Sequence, residues 1–190
     1  MSKATSQRDA TPEKFSEFER FLSLFDQLIE HTFDYANLIS KDAAYSAIPI
    51  DSDVNFLGTR VNSITIGALV RHLILAESHW IGQILEIENG GTIPFPDNTS
   101  YLDNVADGQA LMDAYGRSCR KMRKQLVSFD SGMLEKTFKF AGRNYTGMGM
   151  LWSIHAHHAF HLGQMDLLMR QQNIEPCEYM EWPEVRELIG

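Results

Sequence analysis

The chain has 190 residues, is 44% hydrophobic and carries a formal net charge of −8. That suits one globular domain, since at this size folding buries roughly 70% of the unfolded chain's surface, and it excludes the clustered cations of an extended nucleic-acid surface. No apolar run reaches the roughly 18 residues of a membrane span, and the opening MSKATSQRDATPEK lacks the apolar stretch of a signal peptide. Cys119 and Cys177 form no CxxC motif and no disulfide framework, so a cytoplasmic protein is expected.

Residues 1–10 read as a flexible polar tail, and residues 11–190 as a single domain. Thr11 and Pro12 suit an N-cap and first helical position. From Phe15, the apolar residues Phe18, Leu22, Phe25, Ile29 and Phe33 recur at helical spacing, predicting a first helix to about residue 38. His31 falls outside this stripe and should face solvent. A long connection follows, SKDAAYSAIPIDSDVNFLGTRVN. Ser63 can cap a second helix running to about Ile87 and closed by NGG. GTIPFPDNTSYLDN should be irregular because of Pro94 and Pro96. A third helix spans roughly 105–128. FKFAGRNYT can turn as a hairpin around Gly142, and Thr146 can cap a fourth helix to about Gln172. WPEVRELIG can add a last helical turn. Four long amphipathic helices predict an all-α fold, an up-and-down four-helix bundle with long connecting loops.

The fourth helix contains SIHAHHAFHLGQ, with four of the chain's seven histidines. At about 100° per residue, His157 and His161 share a side with Met150, Ile154, Met165 and Leu168 and point inward. His158 falls at the edge of the apolar arc, and His155 should lie near the surface. In the second helix His72 shares its face with Leu69, Ala76 and Trp80, and so also points inward. If the second and fourth helices run parallel from the same end, His72, His157 and His161 lie at depths of roughly 13, 16 and 22 Å, close enough to converge.

Three imidazoles would leave a fourth coordination position open for water or substrate, as in catalytic rather than structural sites. Imidazole suits zinc, iron, cobalt, nickel and copper alike. Against this stands the plainer reading that an inward histidine is an ordinary hydrogen-bonded core group. HExxH is absent, which disfavours a zincin protease, and so is ExxH, which disfavours a ferritin-like di-iron site.

RHLILAESHW and HHAFHLGQ resemble the corresponding segments of the DinB/YfiT-like superfamily of four-helix-bundle metalloenzymes. His72 matches that family's histidine on the second helix, His157 and His161 its HxxxH pair, and Gly163–Gln164 its trailing GQ. Phe160 and Leu162 depart from its common HHRGQ form. The resemblance implies His72, His157 and His161 as metal ligands, zinc or nickel as the usual ion, and homodimers. It also implies a low-molecular-weight thiol cofactor in some members, acting in transfer or isomerisation on a small-molecule substrate. The expected function is a divalent-metal-dependent enzyme, a thiol-dependent transferase or isomerase or a hydrolase acting on a small electrophile. The alternatives are a non-catalytic metal-binding or stress-response helical bundle, whose histidines bind metal without turnover, and a helical interaction protein.

Three further residues are candidates for contact with the ligands. Glu77 lies on the apolar arc of the second helix and needs a buried partner. It stands about 140° around from His72, which favours a structural hydrogen bond over a share in the metal. Gln164 lies one turn beyond His161, near enough to orient a ligand or bridge helices, and His158 can stand behind the ligands. Trp80 and Trp152 read as core. Arg117, Arg120, Lys121 and Lys124 form a solvated face on the third helix, opposite Cys119, Met122 and Leu126.

Overall fold

The structure is a computed structural model describing residues 16–48, 64–96, 102 and 104–178. Its elements are α1 (Glu17–Leu38), a 3-10 turn (Asp42–Ser46), α2 (Ile66–Glu86), α3 (Gln109–Val127), α4 (Ser131–Glu135), β1 (Thr137–Phe140), β2 (Arg143–Thr146) and α5 (Gly147–Gln171). The four long helices make the expected bundle.

Helix starts follow side-chain capping. Ser16 accepts from the Glu19 amide while Glu19 reaches back to the Ser16 amide, a reciprocal capping box on α1. Thr65 caps α2 and Thr146 caps α5. The Thr11 and Ser63 caps, the tail 1–10 and the helical turn expected in WPEVRELIG lie outside the described residues. The third helix begins at Gln109 rather than near 105, because the preceding segment is held in another shape. The Arg71 guanidinium donates to the carbonyls of Leu102 and Val105 and to the Asp107 carboxylate.

The helices do not alternate in direction. Glu17 meets Trp152 and Tyr35 meets Asp166, so α1 and α5 run parallel. Arg71 meets Asp107, and Ile74 and Ser78 share a cleft with Ala114 and Ser118, so α2 and α3 also run parallel. Phe18 stacks on Phe129 while Phe33 packs on Tyr115, which sets α1 antiparallel to α3. α2 and α5 are antiparallel: His72 packs on His161, and Trp80, further along α2, packs on the earlier His157. This corrects the parallel relation assumed for the second and fourth helices. The long connections allow the change, since a chain with short turns would be forced to alternate.

The hairpin predicted around Gly142 is present, with β1 and β2 paired from Thr137–Thr146 to Phe140–Arg143. Its two turn residues, Ala141 (φ 49°) and Gly142 (φ 76°), both have the positive φ that a tight hairpin turn requires. The hairpin ties the end of α2 to the start of α5. Gly90 donates to the Thr137 carbonyl, Ile93 to that of Lys139, and Lys136 Nζ to the Ile84 carbonyl at the C-terminal end of α2.

The core between the helices is built from Phe21, Phe25, Leu69, Leu73, Ile81, Leu111, Tyr115, Leu151, Ile154 and Met169, all buried. Cys119 is buried and free, as expected, and Arg117, Arg120, Lys121 and Lys124 are exposed. Trp80 is buried, whereas Trp152 is only half-buried, at the end of the bundle, with its indole N–H donating to Glu17. His31 is half-buried rather than exposed, packing on Tyr35 near the Cys177 thiol.

Candidate metal centre

His72 from α2 and His157 and His161 from α5 present one nitrogen each to a common point, with all three donor atoms within 4.8 Å of one another. His157 Nε2 lies 3.0 Å from His72 Nε2 and 3.0 Å from His161 Nε2. His72 is 4% exposed and His161 1%, while the His157 side chain is 18% exposed. The cluster therefore meets solvent on the His157 side.

The opposite edges of two rings decide which nitrogens carry protons. His161 Nδ1 lies 2.7 Å from Gln164 Oε1, an acceptor, so this nitrogen donates and Nε2 keeps its lone pair. His157 Nδ1 faces Glu77 Oε1 at 3.5 Å, too long for a full hydrogen bond, so the carboxylate attracts a proton to that nitrogen without fixing it there. With the His157 proton on Nδ1, two lone pairs face each other 3.0 Å apart. A proton from His72 could satisfy one of them but not both. Burial and the neighbouring His157 push the His161 imidazole down to about 4, so it is neutral near pH 7. A cation between the rings is what this donor set fits. With metal–nitrogen bonds of about 2.0–2.1 Å, a 3.0 Å separation subtends roughly 95°, somewhat tighter than a tetrahedral pair.

Glu77 is fully buried. Burial alone would raise its carboxyl, but the imidazoles of His158 and His157 reverse the balance and hold it at about 2. It sits 3.1 Å from His158 Nδ1 as well as facing His157. The angular argument that set it apart from the cluster considered only α2. Its partners are on α5, so Glu77 stands behind His157 rather than beside His72.

His158, expected at the edge of the apolar arc, is entirely buried. Its Nε2 lies 2.9 Å from Thr32 Oγ1, whose hydroxyl donates to the Leu28 carbonyl, and 3.5 Å from the Tyr115 hydroxyl. Phe25 packs edge-on against its ring. Successive residues on α5 thus face different neighbours, His157 toward α2 and His158 toward α1. His155 is half-buried rather than at the surface, with burial and His158 lowering its affinity for a proton. Thr32 was missed in the sequence. Its signal was a lone hydroxyl at helical spacing between the buried Leu28 and Tyr35.

Three histidine nitrogens converging between two helices of such a bundle define a DinB-like protein. A family description reading mycothiol-S-transferase matches residues 51–173, and the chain belongs to that family. Among solved structures it is similar to YfiT from Bacillus subtilis, described as a probable metal-dependent hydrolase with an unusual four-helix bundle topology. That likeness has a TM-score of 0.59 at 12% identity, covering 89% of this chain and 94% of the other, and concerns the fold. Comparison with curated proteins finds no match.

Proposed function

We propose that the protein is a metal-dependent transferase whose His72, His157 and His161 hold one divalent ion, zinc or nickel, and act on a small electrophile with a low-molecular-weight thiol. The observation that carries this reading is the convergence of three imidazole nitrogens, with Gln164 holding the His161 proton on the far side of its ring. The family description supports the thiol. When bound, the ion acts as a Lewis acid that favours the thiolate or hydroxide form of its fourth ligand.

The chain's own residues prepare that chemistry. Gln164 fixes the ring of His161, and the Glu77 carboxylate, 3.5 Å from His157 Nδ1, draws the His157 proton toward that nitrogen. His158 and Thr32 hold Glu77 in place from the core side. With water in place of the thiol the same arrangement would support hydrolysis. A homodimer fits the outer face of α5, where Ala156, Phe160, Gly163 and Leu167 form an exposed seam at alternating four- and three-residue spacing. No described helix is long and apolar enough to cross a membrane, and the two free cysteines suit a cytoplasmic setting.

The test is elemental analysis of protein purified without a metal-affinity tag, followed by turnover assays. About one metal ion per chain is expected, lost in His161→Ala. Conjugation of a small electrophile should depend on added thiol. Hydrolysis without thiol would assign the hydrolase instead, and bound metal with neither activity would assign a binding protein. A chain that neither carries nor takes up metal refutes the proposal.

A further inference from the structure

His157, the most exposed of the three histidines, is bordered by a chain of aromatic rings. Trp80 packs edge-on against His157, with ring centroids 4.8 Å apart. Phe140 of the hairpin packs on Trp80 at 5.6 Å, and Phe95 on Phe140 at 5.2 Å. Tyr145 lies 6.5 Å from Phe140. Phe95 is 59% exposed, a large apolar ring open to solvent at the end of this chain of rings.

The Trp80 indole N–H is buried and has no hydrogen-bond partner among the described residues. Buried donors are almost always paired, so an orphan asks for an explanation. Trp152 supplies the contrast, since its N–H finds Glu17 at 2.7 Å. The orphan donor belongs to the ring that touches His157, the one partly exposed member of the cluster.

We propose that Trp80, Phe140 and Phe95 form the electrophile subsite, in which the Trp80 N–H donates to an oxygen of the substrate and the rings of Phe140 and Phe95 cover its planar, aromatic or conjugated part. This rests on the metal-centre reading above, and it adds a substrate class. A cationic guest would use the ring faces but leave the N–H unpaired. A saturated guest would satisfy the donor and waste the aromatic wall. A planar, oxygen-bearing electrophile uses both.

The experiment uses zinc-loaded protein and two oxygen-donor probes, benzohydroxamate and acetohydroxamate, titrated calorimetrically. The unmodified protein should prefer benzohydroxamate by roughly 2- to 10-fold. Phe140→Leu should remove that preference without weakening acetohydroxamate. Trp80→Phe keeps a ring but removes the donor, and should weaken both probes by roughly 2- to 10-fold while zinc stays at one per chain. Independently of any variant, the Trp80 indole proton resonance should move downfield when benzohydroxamate is added. Equal affinity for the two probes in the unmodified protein overturns the aromatic wall. A Trp80→Phe protein that binds both probes unchanged, or an indole resonance that does not move, overturns the donor role. Elemental analysis separates these outcomes from failure of the centre itself, because loss of zinc from the unmodified protein overturns the metal reading and this inference together.

Discussion

Replacing Glu77 by glutamine removes one charge from the buried side of the cluster and changes little else. The side chain keeps its size, so no cavity opens, and the amide oxygen can still accept from His158. What is lost is the negative charge that faces His157 Nδ1 at 3.5 Å and His158 Nδ1 at 3.1 Å. A hydrogen bond to a charged group contributes about 1.5–3 kcal/mol, and the long contact to His157 argues for the lower half of that range. Residues that orient a metal-bound histidine typically account for about 10–100-fold in affinity, or roughly 1.4–2.7 kcal/mol. We therefore expect Glu77→Gln to weaken zinc binding by roughly 10- to 50-fold. Gln164→Ala removes a neutral hydrogen bond of 2.7 Å to His161 and should cost only about 2- to 10-fold. The assay is competition for zinc against a chromophoric chelator at pH 7.5, with the apoprotein melting temperature recorded to confirm folding. An affinity in Glu77→Gln within twofold of the parent, or a larger loss in Gln164→Ala, would refute the reasoning.

The network behind the cluster, the start of α5 and the two thiols each yield a further expectation. Thr32→Val keeps shape but leaves His158 Nε2 with only the Tyr115 hydroxyl at 3.5 Å, and should cost about 1–3 kcal/mol in urea unfolding. Gly147→Ala should destabilise by about 1–3 kcal/mol or prevent folding, because an added Cβ would stand 2.1 Å from the Met133 carbonyl oxygen; an unchanged unfolding midpoint would contradict that packing. The Cys119 thiol is pushed up to about 12 by burial and then by the Glu77 charge, so it stays protonated and inert at pH 8. Iodoacetamide should accordingly label the half-buried Cys177 in the native protein and reach Cys119 only after unfolding, as mass spectrometry of peptides would report.

Helical period was enough to bring His72, His157 and His161 to inward faces, and the structure puts them together. The match in depth holds although the second and fourth long helices run antiparallel, not parallel. It survived because His157 and His161 lie two residues either side of the middle of Gly147–Gln171, and the middle of a helix keeps its depth when the helix is reversed. Direction itself was not legible, since it depends on the path of long connections rather than on any face. His158 was placed too far out for a related reason. α5 packs on α1 as well as α2, so its buried arc is wider than a single apolar stripe suggests. Glu77 was recognised as a buried carboxylate needing a partner, but the partner could not be named while the neighbour of α2 was unknown. The short α4 carries no buried residue and left no periodic signal.

The threading of the bundle also orders events in time. His72 and His157 are 85 residues apart in the chain, and Thr32 and His158 are 126 apart. A ribosome adding about 5–20 residues per second leaves the earlier partner of each pair waiting several seconds before the later one exists. Throughout that interval Glu77 lacks both of its α5 partners, His157 and His158. Until α5 is made, the chain carries only His72 of the three histidines in the cluster. Assembly of the three-histidine cluster is thus a late event in the life of each molecule, one that waits until α5 has been made and seated.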